Sequence, residues 1–168
     1  MKYFKKIVFG TITGLLLVGC MTTQPTVPEE QTSTFIVMKT PVLRYADQGF
    51  VHKAMGVTKV EIYASGVAVM KLEMTANKIC NGSGLFSCMS KAEFNKRYLS
   101  SHYPDSTLEN IFRGEKIFAG ANVKAIAGGF EQNILKAGVY AIKYTVLKGN
   151  IVFRDTISNI LIKVKDNK

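Results

Sequence analysis

The stretch KVEIYASGVAVMKLEMT, residues 59–75, decides the fold class of this chain. On both sides of Ser65-Gly66, apolar residues alternate with polar or charged ones. A period of two is typical of a strand that buries one face, and Ser-Gly between two such runs indicates a hairpin. The stretch therefore predicts two antiparallel strands that share one buried face. The apolar positions are Val60, Ile62 and Ala64 before the turn, and Met70, Leu72 and Met74 after it.

Similar patterns flank this hairpin. The apolar run FIVM lies upstream at residues 35–38, and VYAIKYTVL, residues 139–147, alternates in the same way near the C-terminus. The last run, residues 151–165, changes its apolar parity near Ser158-Asn159, which indicates a bulge or a break there. Six or seven strands are predicted in total.

Helical signals are confined to the middle of the chain. Ser90 followed by Glu93, and Ser106 followed by Glu109, each have the spacing of a capping box at a helix N-terminus. Gly114 is placed to end the second helix. The sequence thus predicts a mainly β domain, an antiparallel β-sandwich of an immunoglobulin-like variant, with two short helices inserted between its front and back strands.

The N-terminal segment has the proportions of a signal peptide. Three lysines within the first six residues precede the apolar run 7–18, which ends at Gly19. About a dozen apolar residues cannot span a bilayer as a helix, because that takes roughly 20. Residues 1–19 are therefore predicted to be a signal peptide.

Leu17-Val18-Gly19-Cys20 resembles the lipobox of bacterial lipoproteins. The resemblance implies cleavage before Cys20 and acylation of Cys20 by palmitate-type chains, which would hold the mature chain on a membrane. Met21 stands where such lipoproteins carry Asp when they stay in the inner membrane. We therefore expect an outer-membrane lipoprotein, on the inner leaflet facing the periplasm more than on the cell surface. An uncleaved anchor or an ordinary signal peptide is the alternative.

Residues 20–34 are predicted to form a lipidated N-terminus and a flexible tether, since TTQPTVPEEQTST contains two prolines and only one valine. The folded domain is predicted to comprise residues 35–168. Such a tether would let the domain stand clear of the membrane.

Cys80 and Cys88 are the cysteines that remain after Cys20. An even pair in an oxidising compartment favours a disulfide. Free thiols and a redox pair are alternatives, although seven intervening residues do not match the usual redox spacing.

The chain carries a formal charge of +10. The first 19 residues hold three of the 22 basic residues and none of the 12 acidic ones, so a net +7 remains. The basic residues are scattered along the sequence, and we interpret them as a solvated surface. Loose attraction to anionic lipid, glycan or nucleic acid is the alternative, but no basic run or known module indicates a nucleic-acid partner.

Catalytic and metal signatures are not evident. The two histidines, His52 and His102, are 50 residues apart, and neither a nucleophile elbow nor a phosphate-binding loop accompanies them. We expect no enzymatic activity, no cofactor and no metal site. A spatial triad is not detectable from sequence.

The leading hypothesis is a non-enzymatic module that binds an envelope protein or other envelope partner. Exposed strand edges and the loops 82–87 and 118–131 would make the contact, with Leu85, Phe86, Phe118 and Phe130 as contact residues. The alternative is a carrier of a lipid or other apolar ligand, and an enzyme acting on envelope polymers is third.

CMSKAEFNKRYL, residues 88–99, and LENIFRGEKIF, residues 108–118, are similar to small lipoproteins of epsilonproteobacteria with an immunoglobulin-fold variant. The resemblance implies a sandwich over roughly residues 35–165. It implies no catalytic residues.

Overall fold

The computed structural model describes residues 30–82 and 87–167. In these residues eleven antiparallel strands form one sheet, and two α-helices connect β6 to β7. The strands are β1 Glu30–Lys39, β2 Arg44–Ala54, β3 Val57–Ala64, β4 Val67–Met74, β5 Lys78–Asn81, β6 Ser87–Ser90, β7 Val123–Ile126, β8 Gly129–Lys136, β9 Tyr140–Leu147, β10 Asn150–Asp155 and β11 Ile160–Asp166; the helices are α1 Lys91–Tyr98 and α2 Thr107–Arg113.

The order of strands in the sheet is β6-β5-β4-β3-β2-β1-β11-β10-β9-β8-β7. Strands that are consecutive in sequence pair with each other, except for β6 and β7, which form the two ends of the sheet. The pairing of β1 with β11 joins the first strand to the last. This confirms a mainly β, antiparallel fold with two helices between a front set, β1–β6, and a back set, β7–β11. Immunoglobulin domains use Greek-key connections, whereas this order is sequential, so the immunoglobulin-like subtype is not confirmed.

The sheet folds around the helices in a sandwich-like arrangement. Helix α2 contacts both β3 and β10, which are separated by three strands in the sheet. Phe94, Ile111 and Phe112 of the helices join apolar side chains of both strand sets in one buried core. Burying each such side chain contributes about 1.5–3 kcal/mol, so the core is the main source of stability.

The predicted hairpin and the predicted break are both confirmed. Ser65 and Gly66 have φ values of 51° and 79° and connect β3 to β4. Positive φ at both central positions is the type I′ geometry, whose twist matches that of paired strands. The parity change near Ser158-Asn159 is a turn between β10 and β11, in which Asn159 has φ 54°.

The two predicted helix starts differ in how they are capped. Ser90 and Glu93 form the predicted capping box at the start of α1. Ser106 precedes α2, but its side chain makes no capping hydrogen bond, so the second capping box was wrong. The Glu109 carboxylate is instead held by the Lys91 ammonium, 2.6 Å away. Gly114 ends α2 in the left-handed conformation at φ 70°, as predicted.

The folded domain starts earlier than the predicted boundary at residue 35. Strand β1 begins at Glu30 and pairs with β2 from Glu30–Lys53 onward. Thr34 is only 2% exposed. Because backbone pairing needs no apolar side chains, polar residues 30–34 join the sheet although their composition resembles a tether. The predicted signal peptide, Cys20 and the rest of residues 1–29 lie outside the described residues.

Candidate functional site

A row of basic residues crosses five adjacent strands on the outer face of the sheet, the face opposite the core. Lys143 of β9 lies opposite Arg154 of β10, and Arg154 lies opposite Leu161 of β11. Leu161 lies opposite Lys39 of β1, and Lys39 lies opposite Arg44 of β2. Directly paired residues point to the same side of a sheet, so the four cations lie in one row that runs across the strands.

Two further lysines extend this row along β11. Lys163 lies opposite Val37, and Lys165 lies opposite Phe35. These four residues, with Gln48 and Asn167, line an open groove of about 470 Å³. At one end of the groove, the Asn167 side-chain amide donates a hydrogen bond to the Gln48 side-chain oxygen at 2.7 Å. The groove is therefore lined by Phe35 and Val37 of β1, with the two lysines of β11 on one side and Gln48 of β2 on the other.

We call this surface the cationic face. It comprises the outward side chains of β9, β10, β11, β1 and β2 and carries Lys39, Arg44, Lys143, Arg154, Lys163 and Lys165, which are all exposed.

The cationic face carries no acidic residue. The acids of these five strands lie on the core side by alternation: Asp47 opposite Ile36, Asp155 opposite Ile160, Asp166 opposite Thr34, and Glu30 in the same parity as Thr34. Within the part of the chain that the structure describes, none of the six cations has an ion-pair partner. Like charges directly opposite each other destabilise a sheet. The arrangement thus opposes folding stability and concentrates positive potential.

The outer face of β3 and β4 has the opposite organisation, and we call it the paired face. Lys59 lies opposite Glu73 with 3.6 Å between Nζ and Oε2, and Lys71 lies opposite Glu61 with 3.5 Å between Nζ and Oε1. The Tyr63 hydroxyl donates to Glu61 at 2.6 Å. That hydrogen bond, aided by Lys71, lowers the pKa of the Glu61 carboxyl. Charge on this face is neutralised locally.

A buried tyrosine–carboxylate pair lies on the core side beneath the cationic row. The Tyr103 hydroxyl donates to Asp155 at 2.5 Å, and the backbone amides of Ala141 and Ile157 donate to the same carboxylate at 3.0 Å. Burial alone would raise the pKa of Asp155, but these hydrogen bonds outweigh it and hold the pKa below its usual range. Burial and the bond to Asp155 raise the pKa of Tyr103. The pair connects the α1–α2 turn to β10, so we interpret it as a structural contact within the fold.

A second buried polar cluster holds the helices to β3. Lys91 and Glu109 form an ion pair at 2.6 Å, with side chains only 6% and 16% exposed. Thr58 donates to Glu109 at 3.5 Å and accepts from Arg113 at 3.1 Å. The charged groups of this cluster neutralise each other and their hydrogen bonds are satisfied within it, so we interpret the cluster as a structural link and not as a catalytic site.

The predicted contact residues of the 118–131 segment are packed. Phe118 lies 5.2 Å from Tyr140 and 5.9 Å from Tyr103 between ring centroids, and Phe130 lies 5.7 Å from Tyr144. Both phenylalanines are only partly exposed. Leu85 and Phe86, the other predicted contact residues, lie outside the described residues.

An unusual backbone turn begins at Phe118. Phe118 and Ala119 have φ values of 48° and 52°, which are uncommon for residues other than glycine. The buried Gln132 side chain accepts from the Ile117 amide at 2.9 Å and donates to the Ile117 and Ala121 carbonyls at 3.0 and 2.7 Å. This amide holds both ends of the turn, so the strained conformation is fixed from within the fold.

The disulfide between Cys80 and Cys88 is formed, with an S–S distance of 2.08 Å. The two residues lie directly opposite each other in β5 and β6. The bond therefore closes the outermost hairpin of the front set, from which α1 follows directly.

The histidines lie in separate parts of the fold. His52 is on the outer face of β2, 6.3 Å from the Phe50 ring, and His102 is exposed in the turn between α1 and α2. Residues 30–82 and 87–167 contain no group of three His, Cys, Asp or Glu side chains that could hold a metal ion. Neither helix in these ranges has the length and apolar character needed to cross a bilayer.

Sequence reasoning missed the cationic face, because it treated the basic residues as scattered. Part of the signal was present: Arg154, Lys163 and Lys165 all alternate with buried residues in the last two strands. The missing information was that β1 pairs with β11, which brings Lys39 and Arg44 beside them.

Comparison with protein-family models gave no match to this chain, and comparison with curated proteins gave none either.

Proposed function

We propose that this chain is a lipid-anchored envelope lipoprotein that faces the periplasm and acts as a non-enzymatic binding module. Its anchor would be the acylated Cys20, and its binding surface would be the cationic face. The observation that carries the proposal is the concentration of six exposed cations on the outer face of five adjacent strands, a face that carries no acidic residue. The lipobox resemblance of residues 17–20 and the disulfide support an oxidising, membrane-bound location.

We prefer this surface to the 118–131 segment as the candidate for partner contact. Phe118 and Phe130 pack against tyrosines of the domain, which leaves less of each ring for a partner. Strand β7, at one end of the sheet, is four residues long and pairs only with β8. The cationic face is much wider, and its charge would attract an anionic partner over distances of about a Debye length.

An anionic partner in the envelope fits this surface better than nucleic acid does. The same charges would attract a phosphate backbone. The basic segment, apolar run and Cys20 at the N-terminus, however, favour a location outside the cytoplasm.

Site-specific photocrosslinking in intact cells tests the proposal. A photoreactive amino acid would replace Val152, which lies within the cationic face and is 38% exposed. The matched control would replace Met55, which is 82% exposed in the turn between β2 and β3. We expect defined adducts from position 152 that disappear when Arg154 and Lys163 are changed to glutamate. Equal adducts from both positions, or none from position 152, would contradict a binding role for this face.

The carrier hypothesis has one feature in its favour, the groove above Phe35 and Val37. An anionic amphiphile would place its chain on this floor and its headgroup between Lys163 and Lys165. Native mass spectrometry of the purified protein should then show a bound lipid that is lost in Phe35→Ser. The space between the two strand sets is filled by α1 and α2 side chains such as Phe94 and Phe112, which are at most 2% exposed.

A further inference from the structure

We propose that the cationic face docks the domain onto the anionic phospholipid surface of the membrane that holds Cys20. This rests on the proposed function, because the anchor is part of it. Docking would lay the domain against the bilayer, whereas a tether alone would let it stand clear. The anchor attaches the protein to the membrane, and the face sets its orientation.

Charge complementarity is the first argument. A basic residue close to an anionic membrane strengthens association roughly fivefold. The face presents six such residues, and the acids of the same five strands lie on the core side. Within these five strands, no outward carboxylate therefore competes with lipid phosphates for these cations.

The kind of cation is the second argument. Four of the six are lysines: Lys39, Lys143, Lys163 and Lys165. Lysine is depleted at the centres of protein–protein interfaces, where arginine and aromatic residues are enriched. A lysine-rich surface without deep recesses for anchoring side chains suits many equivalent headgroups better than one protein partner.

The apolar residues between the cations are the third argument. Phe35, Val37, Val152 and Leu161 share the outer face with the six basic residues. Long basic side chains reach headgroups while their methylene groups and such apolar neighbours face the acyl boundary. A purely solvated surface has no need of this combination.

The position of the tether is the fourth argument. Nine residues, 21–29, lie between Cys20 and Glu30, so the link spans at most about 35 Å. Glu30 begins β1, which is the fourth of the five strands of the cationic face, counted from β9. A short link makes docking intramolecular and gives the face a high effective concentration of lipid.

The test uses the full lipidated chain in vesicles. A Val152→Cys variant would carry a fluorophore that nitroxide-labelled headgroups quench on contact. Labelling is selective because Cys80 and Cys88 form a disulfide, and the acyl chain proposed on Cys20 would block the remaining thiol. Met55→Cys, on a turn outside the face, is the control position. Vesicles containing phosphatidylglycerol are compared with zwitterionic vesicles.

We expect quenching at position 152 and not at position 55, and only with phosphatidylglycerol. Raising the salt from about 0.1 M to about 1 M shortens the Debye length from about 10 to 3 Å and should abolish it. The double variant Arg154→Glu, Lys163→Glu should weaken docking at least about 25-fold. Lys59→Glu with Lys71→Glu, the same charge change on the paired face, should leave docking intact.

Vesicle flotation distinguishes failure of the lipid anchor from failure of docking by the cationic face. Chains that float without quenching at position 152 keep the lipid anchor and overturn the docking. Chains that do not float overturn both the anchor and docking as stated. Quenching that is equal in zwitterionic vesicles overturns an electrostatic contact. A saturable complex with inorganic phosphate that abolishes quenching reassigns the face to a discrete anion site and also overturns bilayer docking.

Discussion

The paired face and the cationic face belong to one sheet but use charge in opposite ways. On the paired face, cross-strand neighbours Lys59 and Glu73 attract each other. On the cationic face, cross-strand neighbours Lys143 and Arg154 repel each other. Cross-strand pairs contribute roughly 0.2–1 kcal/mol, favourable for opposite charges and unfavourable for like charges. The same sheet therefore places unfavourable charge pairs in one area and favourable ones in another, and the proposed binding role of the cationic face would account for this difference.

The difference extends to the core side of each face. Beneath the paired face, the Lys91–Glu109 ion pair holds both helices near β3. Beneath the cationic row, Asp155 is a buried carboxylate held by a tyrosine hydroxyl and backbone amides. The front of the molecule thus depends on paired charges, while the back satisfies its one buried carboxylate with neutral donors.

Glu109→Gln should have the largest effect, because it breaks the pairing on the front side. The change leaves the Lys91 ammonium buried without a counter-charge, so we expect a loss of about 3 kcal/mol in the free energy of unfolding. Urea denaturation measures this. Glu115→Gln, which breaks the exposed pair with Arg113, should cost less than about 1 kcal/mol. Equal losses in the two variants would contradict the importance of the buried pair.

Removing the disulfide should have the next largest effect. Replacing Cys80 and Cys88 together by serine opens a nine-residue loop, for which the chain-entropy model gives about 2.5 kcal/mol. The loss should be the same when the wild-type protein is unfolded under reducing conditions. If reduction leaves the urea midpoint unchanged, the disulfide does not contribute to the stability of the domain, which would contradict this prediction.

Asp155→Asn should cost about 2 kcal/mol at neutral pH, because hydrogen bonds to a charged acceptor are weakened. The folded-state pKa of Asp155 lies below its ordinary value of 3.8, so its stabilisation is present above that value and is lost as the pH falls through the folded pKa. The variant should therefore lose less stability than wild type between pH 5 and acid pH, as measured by thermal unfolding. Asp105→Asn, in the exposed turn before α2, is the control. If Asp155→Asn loses as much stability as wild type between pH 5 and acid pH, the Asp155 carboxylate does not account for the acid sensitivity of the fold.

The smallest effects test the comparison most directly. Glu73→Lys places like charges opposite each other on the paired face and should cost about 0.5–1 kcal/mol. Arg154→Glu places opposite charges next to Lys143 on the cationic face and should be neutral or stabilising by up to about 0.5 kcal/mol. Chemical denaturation at low salt gives both values. Destabilisation by Arg154→Glu would show that the cationic row is not a site of stored repulsion.

Much of the local structure was predictable because it depends on neighbours in sequence. Alternation over residues 59–75 identified β3 and β4, and Ser65-Gly66 identified their turn. The capping box at Ser90 failed to repeat at Ser106, because Glu109 had a stronger partner 18 residues away in Lys91. Residues 30–34 were assigned to a tether because β1 depends there on backbone pairing with β2, which composition does not reveal.

The candidate site was far less predictable than the strands that carry it. The sequence alone determined that Arg154, Lys163 and Lys165 would alternate with core residues, since a strand has a period of two. Only the tertiary structure decided that Lys39 and Arg44 join them, because pairing of β1 with β11 brings together residues more than 100 positions apart. Local alternation assigns each side chain to a face, whereas strand order decides which faces adjoin, and that order follows from burial of one common core.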